Sequence, residues 1–196
     1  MLIGIAFVIC LLTVPLAGGR MRALALLQPR AWWLLAAGLG LQVLIISVVP
    51  DGPRGMHTTA HIASYVLVAC FVVANRSVPY LWLIAFGGAL NAIAIGLNGG
   101  VMPADPDALA AAGVATDPDK FANSIAVADP VVPFLGDVFW VPESWPVSNV
   151  FSVGDVLIVV GVLLAVHTIA RSRLALDRFA VPGRRRLAHA DAGTGS

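Results

Sequence analysis

The chain has 196 residues, 59% hydrophobic and 12% charged, with a formal net charge of +1. A water-soluble domain of this length needs a charged shell over its core, so the composition excludes an ordinary soluble globule. Cys10 and Cys70 both lie in apolar stretches without CxxC or Cys/His spacing, which makes them packing residues rather than a disulfide or metal framework.

A helix crossing a bilayer core of about 30 Å needs roughly 17 to 25 mostly apolar residues. Five stretches approach that length. The first runs from about Leu2 to Ala17. No basic residue precedes it and Arg20, Arg22 and Arg30 follow it, the pattern of a reverse anchor with its N-terminus outside rather than a cleaved signal peptide. The second, about Ala31 to Val49, opens with Trp32 and Trp33 at an interfacial position and stops at Pro50-Asp51-Gly52-Pro53. The third, about Thr58 to Ala74, carries His57, His61 and Tyr65 at i, i+4 and i+8, hence on one face near its outer end.

The fourth stretch, about Pro79 to Leu97, repeats small residues every four positions at Gly88, Ala92, Gly96 and Gly100. Such a ridge lets helix backbones approach closely in lipid, so this helix is expected to be central. Asn91 and Asn98 flank the ridge, and amides at that depth face protein or water rather than acyl chains. The fifth runs from about Ser152 to Ala170, with Arg171 and Arg173 directly after it. Arg20, Arg22, Arg30, Arg76 and six arginines from Arg171 onward then share one side, leaving Arg54 and Lys120 on the other. The positive-inside rule places the N-terminus outside and the C-terminus in the cytoplasm. Arg184 to Arg186 form too short a run, without interleaved aromatics, to suggest nucleic acid as a partner.

About fifty residues separate the fourth and fifth stretches, too many for a simple connection. Asp105-Pro106 and Asp117-Pro118 read as N-caps followed by proline at the first helical position, predicting one short helix ending near Gly113 and another carrying Phe121 and Ile125. Phe134, Phe139, Trp140 and Trp145 suit a segment lying along the headgroup layer. Ser152 and Asp155 have the spacing of a capping box, and a carboxylate there also suits the helix dipole. Asp137, after a glycine and before aromatics, has no comparable local explanation.

The motifs Asn98-Gly99-Gly100-Val101-Met102-Pro103, Leu135-Gly136-Asp137 and Ser152-Val153-Gly154-Asp155 carry a resemblance. The chain resembles, over nearly its whole length, a family of bacterial multi-pass membrane proteins known as domain of unknown function 5317. The resemblance implies the topology and no activity.

The sequence therefore predicts an all-α polytopic fold: a five-transmembrane-helix bundle over residues 1–175, with an ordered extracytoplasmic loop at about 98–151. A basic, disordered cytoplasmic tail is expected over 176–196. The expected location is the bacterial cytoplasmic membrane, with the lipid bilayer and either a membrane-protein partner or a second copy as contacts. The leading functional expectation is a scaffold or accessory subunit whose outer loop meets a partner. The alternative is an outer-leaflet hydrolase or metal-binding protein. Asp137 and Asp155 would act as an acid and base pair, or His57 and His61 would bind zinc or copper, with Asn91, Asn98, Asn149 and Ser152 as polar support. Packing histidines explain the same HxxxH spacing without a metal, and no cofactor is indicated. Solute or ion transport ranks third, since intramembrane charges are few and no inverted repeat is visible.

Overall fold

The structure, a computed structural model, describes residues 2–48, 54–114 and 124–176. The expected features at Pro50 to Pro53, Asp117-Pro118, Lys120 and Phe121, and the basic tail after residue 176, lie outside these ranges. In chain order the elements are α1 (Leu2–Leu16), α2 (Met21–Ala25), α3 (Trp32–Val43, continued by a π turn Leu44–Val48), α4 (Arg54–Ala74), α5 (Leu81–Leu97), β1 (Met102–Ala104), α6 (Pro106–Ala111), β2 (Ser124–Ala126), β3 (Asp137–Val141), β4 (Asn149–Ser152) and α7 (Val153–Ile169).

The long helices pack side by side in the order α1, α7, α5, α4, α3. Neighbours in this layer are antiparallel except α1 and α7, as the contacts show: Gln42 on α3 bonds to Ser64 on α4, Asn91 on α5 to Asp155 on α7, and Thr13 on α1 to His167 on α7. The closest packing is between α5 and α7, and glycines make it possible. A Cβ added to Gly87 would strike the Gly154 carbonyl and Ile158, and one added to Gly161 would strike Ile84. Missing side chains thus bring two backbones together and multiply dispersion contacts. Of the expected ridge, Gly88 and Gly96 face open space, since a Cβ on either meets nothing within 4 Å, while Gly100, beyond the end of α5, lies against Thr58 of α4.

Two asparagines fasten loops to this layer. The Asn75 carboxamide accepts from Arg30 N (2.7 Å) and donates to Arg30 O and Phe71 O (both 2.8 Å), tying the α2–α3 connection to the end of α4. Asn98 does the same at the other end: it accepts from Val131 N (2.8 Å) and donates to Val131 O (2.9 Å) and Ala94 O (2.7 Å).

The all-α expectation is overturned by a four-stranded mixed sheet, ordered β2-β1-β3-β4, that lies over one end of the helical layer. Strand β1 runs parallel to β2 and β3, while β3 and β4 form an antiparallel pair with an irregularity between Asp137 and Phe139. The five-span expectation falls too. Among the described residues one helix, over Gly55–Ala74, is long and apolar enough to cross a membrane, while Leu2–Leu16, Trp32–Val43, Leu81–Leu97 and Val153–Ile169 are shorter. Local backbone geometry bounds two of them: Ala31 and Tyr80 precede α3 and α5 in the left-handed region, and positive φ at Gly99 and Gly100 ends the run after α5. Asp105 caps α6 as its sequence predicts, accepting from Asp107 N (2.8 Å) and Ala108 N (3.1 Å). Ile125, expected on a helix, is in β2. Beneath the sheet Ala104, Ala108, Leu109, Ala112 and Val150 form a small core.

Two substitutions on α5 separate the used glycine face from the open one. Gly87→Leu should cost at least about 3 kcal/mol, because the obstacle is backbone that cannot move aside, and lower Tm by roughly 6 °C or more. Gly88→Leu should leave Tm within a few degrees, measured by thermal unfolding of the solubilised protein.

Candidate functional site

The polar residues singled out by the sequence gather where the sheet meets the helical layer. Ser152 ends β4 and caps α7: its Oγ accepts from Asp155 N (3.1 Å), while Asp155 Oδ2 accepts from Ser152 N (3.1 Å). Asn91 on α5 closes this box into a ring. Its Nδ2 donates to Asp155 Oδ1 (2.8 Å) and its Oδ1 accepts from Ser152 Oγ (2.8 Å). Gly154 lies against the same carboxamide, and any Cβ there would run into Asn91 Oδ1 and the Gly87 carbonyl. The Ser-Val-Gly-Asp run is thereby accounted for, with one cap, one gap and one carboxylate shared between two helices.

Asp137 opens β3 in the middle of the sheet, paired in register with Ala104 on β1 and Ser152 on β4. Its preceding glycine is required, since a Cβ on Gly136 would collide with the Pro103 carbonyl. The side chain is 3% exposed. Oδ2 accepts from Ser124 Oγ on β2 (2.5 Å), and Oδ1 is buried without a hydrogen-bond partner among the described residues. Burial pushes the carboxyl up to about 6, with the Asp155 charge adding to the rise and the Ser124 bond opposing it. Tyr65 of α4 lies within electrostatic reach of both carboxylates and packs against Ala94, Ile95 and Met102.

The structure places the other expected residues as follows. His57 and His61 are both buried on α4, at 1% and 3% exposure, and His61 stacks on Tyr65 with ring centroids 5.6 Å apart and planes 13° from parallel. Among the described residues no three His, Cys, Asp or Glu side chains group closely enough to hold a metal ion. Asn98 is occupied in fastening the Val131 loop. Asn149 pairs with Val141 at the far end of the β3–β4 hairpin from Asp137, so it does not join the carboxylates. Asp137, Asp155, Asn91 and Ser152 are brought together, with Tyr65 beside them. Ser124 carries no sequence signal of its own, because only the β2–β1–β3 pairing brings it to Asp137.

The family described as "Family of unknown function (DUF5317)" matches residues 27–167, well over half of the chain. The chain belongs to this family. An uncharacterized protein of Thermotoga maritima is 31% identical to it over 101 residues, 52% of this chain and 58% of the relative, so the match spans little more than half of that protein. No solved structure matches. Membership gives the motifs a common setting and assigns no activity to them.

Because the folded carboxyl of Asp137 holds its proton up to about pH 6 against an ordinary 3.8, its contribution to stability is full below about pH 4 and is lost as pH rises through 6. Asp137→Asn should therefore match the parent near pH 4 and gain on it by up to about 3 kcal/mol near pH 7, read from denaturation at the two pH values. Asp155→Asn should destabilise by roughly 1 to 2 kcal/mol, since it weakens the cap and replaces an acceptor of the Ser152 amide.

Proposed function

We propose that the protein resides in the bacterial cytoplasmic membrane and acts there as a scaffold or accessory subunit, with the sheet as its docking face. The observation that carries the membrane part is a division of the described molecule into three zones. Arg20, Arg30, Arg76, Arg171 and Arg173 gather at the end where α1, α4 and α7 finish, held together by the Arg20 N to Ala170 O bond, the Arg173 N to Ala17 O bond and the Asn75 clamp. The carboxylates of Asp105, Asp107, Asp137, Glu143 and Asp155 belong to the sheet end. Between them large apolar side chains such as Val8, Leu12, Ile62, Val66, Phe86 and Ile93 point outward.

All five tryptophans are at least half exposed, Trp32, Trp33 and Trp82 at the basic end and Trp140 and Trp145 at the sheet end. Two aromatic girdles around an apolar waist match the two headgroup layers of a bilayer, and the basic end fits the cytoplasmic side. Only 22% of the apolar window in α4 is buried, which argues against the core helix of a water-soluble protein.

Support for docking over catalysis comes from how the polar groups are used. Asn91, Ser152, Asp155 and Asn98 make hydrogen bonds that join elements of the chain to one another. Beside β1 lies a pocket of about 260 Å³ walled largely by apolar side chains, Pro103, Pro106, Pro130, Pro133 and Phe134, with Asp105 among them and exposed Phe139 and Trp140 on the adjoining strand. Such a surface suits a partner membrane protein. One feature favours the hydrolase alternative: Asp137 shares its surroundings with a second carboxylate and sits near pH 6, as acid and base pairs do.

The test is native mass spectrometry of the gently extracted protein, with photo-crosslinking from positions 134 and 140. A co-purifying protein crosslinked through these positions supports docking, and Phe134→Ala with Trp140→Ala should weaken its capture at least about tenfold. A bare chain whose crosslinks reach lipid alone sinks the scaffold reading. Recovery in a carbonate-soluble fraction sinks the membrane assignment.

A further inference from the structure

We propose that the clasp between the α1–α2 loop and the end of α7 seats an anionic phospholipid, its phosphate lying among Arg20, Arg22, Arg171 and Arg173. The inference rests on the membrane residence proposed above and names the lipid class that meets the chain there.

Two backbone bonds make the clasp: Arg20 N donates to Ala170 O (2.8 Å), and Arg173 N donates to Ala17 O (3.0 Å). Two glycines let the segments lie this close. Gly18 takes a left-handed φ of +72°, with Arg173 Nε 3.9 Å from where its Cβ would stand, and a Cβ on Gly19 would strike Val14 and Ser172. The clasp thereby gathers the arginines of two stretches distant in the chain, and all four are exposed. The described carboxylates, Asp105, Asp107, Asp129, Asp137, Glu143 and Asp155, belong to the sheet end, so nothing acidic among the described residues answers these charges.

The local fold gains little from the cations it gathers. Arg20 is the N-cap of α2, where the positive end of a helix disfavours a cation, and its side chain makes no capping bond. Arg171 holds a φ of +52° directly after the Ala170 C-cap of α7, the position where glycine is ordinarily found and any side chain is strained. A cation at this end suits the helix dipole, but a glycine followed by Arg173 would supply one without the strain. An anion held between the two segments accounts for both placements. Guanidinium forks bond phosphate oxygens in pairs, and basic residues at the cytoplasmic surface attract anionic headgroups. The surroundings choose a lipid over a free anion. Leu16, Leu26 and Leu174, in the same segments as the arginines, are each more than half exposed, which is apolar surface that acyl chains cover and a soluble phosphate does not.

The test is native mass spectrometry of the full chain, extracted in mild detergent and offered equal amounts of phosphatidylglycerol and phosphatidylcholine with matched acyl chains. Phosphatidylglycerol adducts should exceed phosphatidylcholine adducts at least about tenfold. Arg20→Gln with Arg173→Gln should cut that ratio to about threefold or less. Arg30→Gln with Arg76→Gln removes the same charge from the α3–α4 edge of the same end and should leave the ratio unchanged. Arg171→Gly should lower the ratio by about threefold while keeping or raising Tm, a combination that a purely structural arginine would not give. Equal adducts of the two lipids, or none, overturn the seat, while recovery in the carbonate-insoluble fraction keeps membrane residence standing; recovery in the soluble fraction overturns both. An equal fall in the Arg30 and Arg76 variant, or adducts lost to inorganic phosphate but not to chloride at the same ionic strength, also overturns the seat.

Discussion

The ring formed by Ser152, Asn91 and Asp155 is the joint on which both layers of this molecule depend. A helix capping box ordinarily satisfies two orphan amides and stops there. Here the cap residue is also the last residue of β4, and the capping carboxylate reaches sideways to α5. One constellation therefore sets where the sheet ends, where α7 begins and how close α5 lies. Glycine at 154 is what lets the third function coexist with the first two, since the Asn91 carboxamide occupies the space a side chain would need.

Much of this joint was legible in the sequence, and the reason is that it is local. Ser152 and Asp155 lie three apart, and Asp105-Pro106 stand side by side, so cap chemistry announces itself without knowledge of the fold. The partners three-dimensional packing supplies were not legible. Asn91 could be read as polar and inward, but nothing in its neighbourhood names Asp155, 64 positions away. The sheet escaped for a related reason. Its strands are three to five residues long, one contains Pro103, and none shows the alternation that marks a strand with one wet face. Composition alone suggests five spans, and for two of them it does not show the left-handed residues at 31 and 80 that set where α3 and α5 begin.

Glycine spacing gave the converse lesson. A four-residue repeat at Gly88, Ala92, Gly96 and Gly100 reads as a packing ridge, whereas the α5–α7 contact is made by Gly87, Gly154 and Gly161, and of the repeat's glycines Gly100 alone meets a neighbour, Thr58. Close approach is a property of two helices together. A repeat on one of them specifies a stripe but not what faces it. Asp137 is the reverse case: its lack of a local explanation is the informative signal, and the structure finds it at the centre of a sheet with one oxygen that has no hydrogen-bond partner among the described residues.

The Asn98 clamp has a chemical consequence beyond folding. Asn98 precedes Gly99, and an asparagine followed by glycine is where the next backbone nitrogen most readily attacks the side-chain carbonyl, since no Cβ obstructs it. In this chain the carboxamide is held through three hydrogen bonds to Val131 and Ala94. Were the amide nevertheless hydrolysed, a carboxylate would face the Val131 and Ala94 carbonyl oxygens that now accept its two N–H bonds, and attraction would become repulsion at both. The bonds that pin the loop also keep the carboxamide from turning toward the attacking nitrogen, so the clamp slows the ageing reaction that would destroy it.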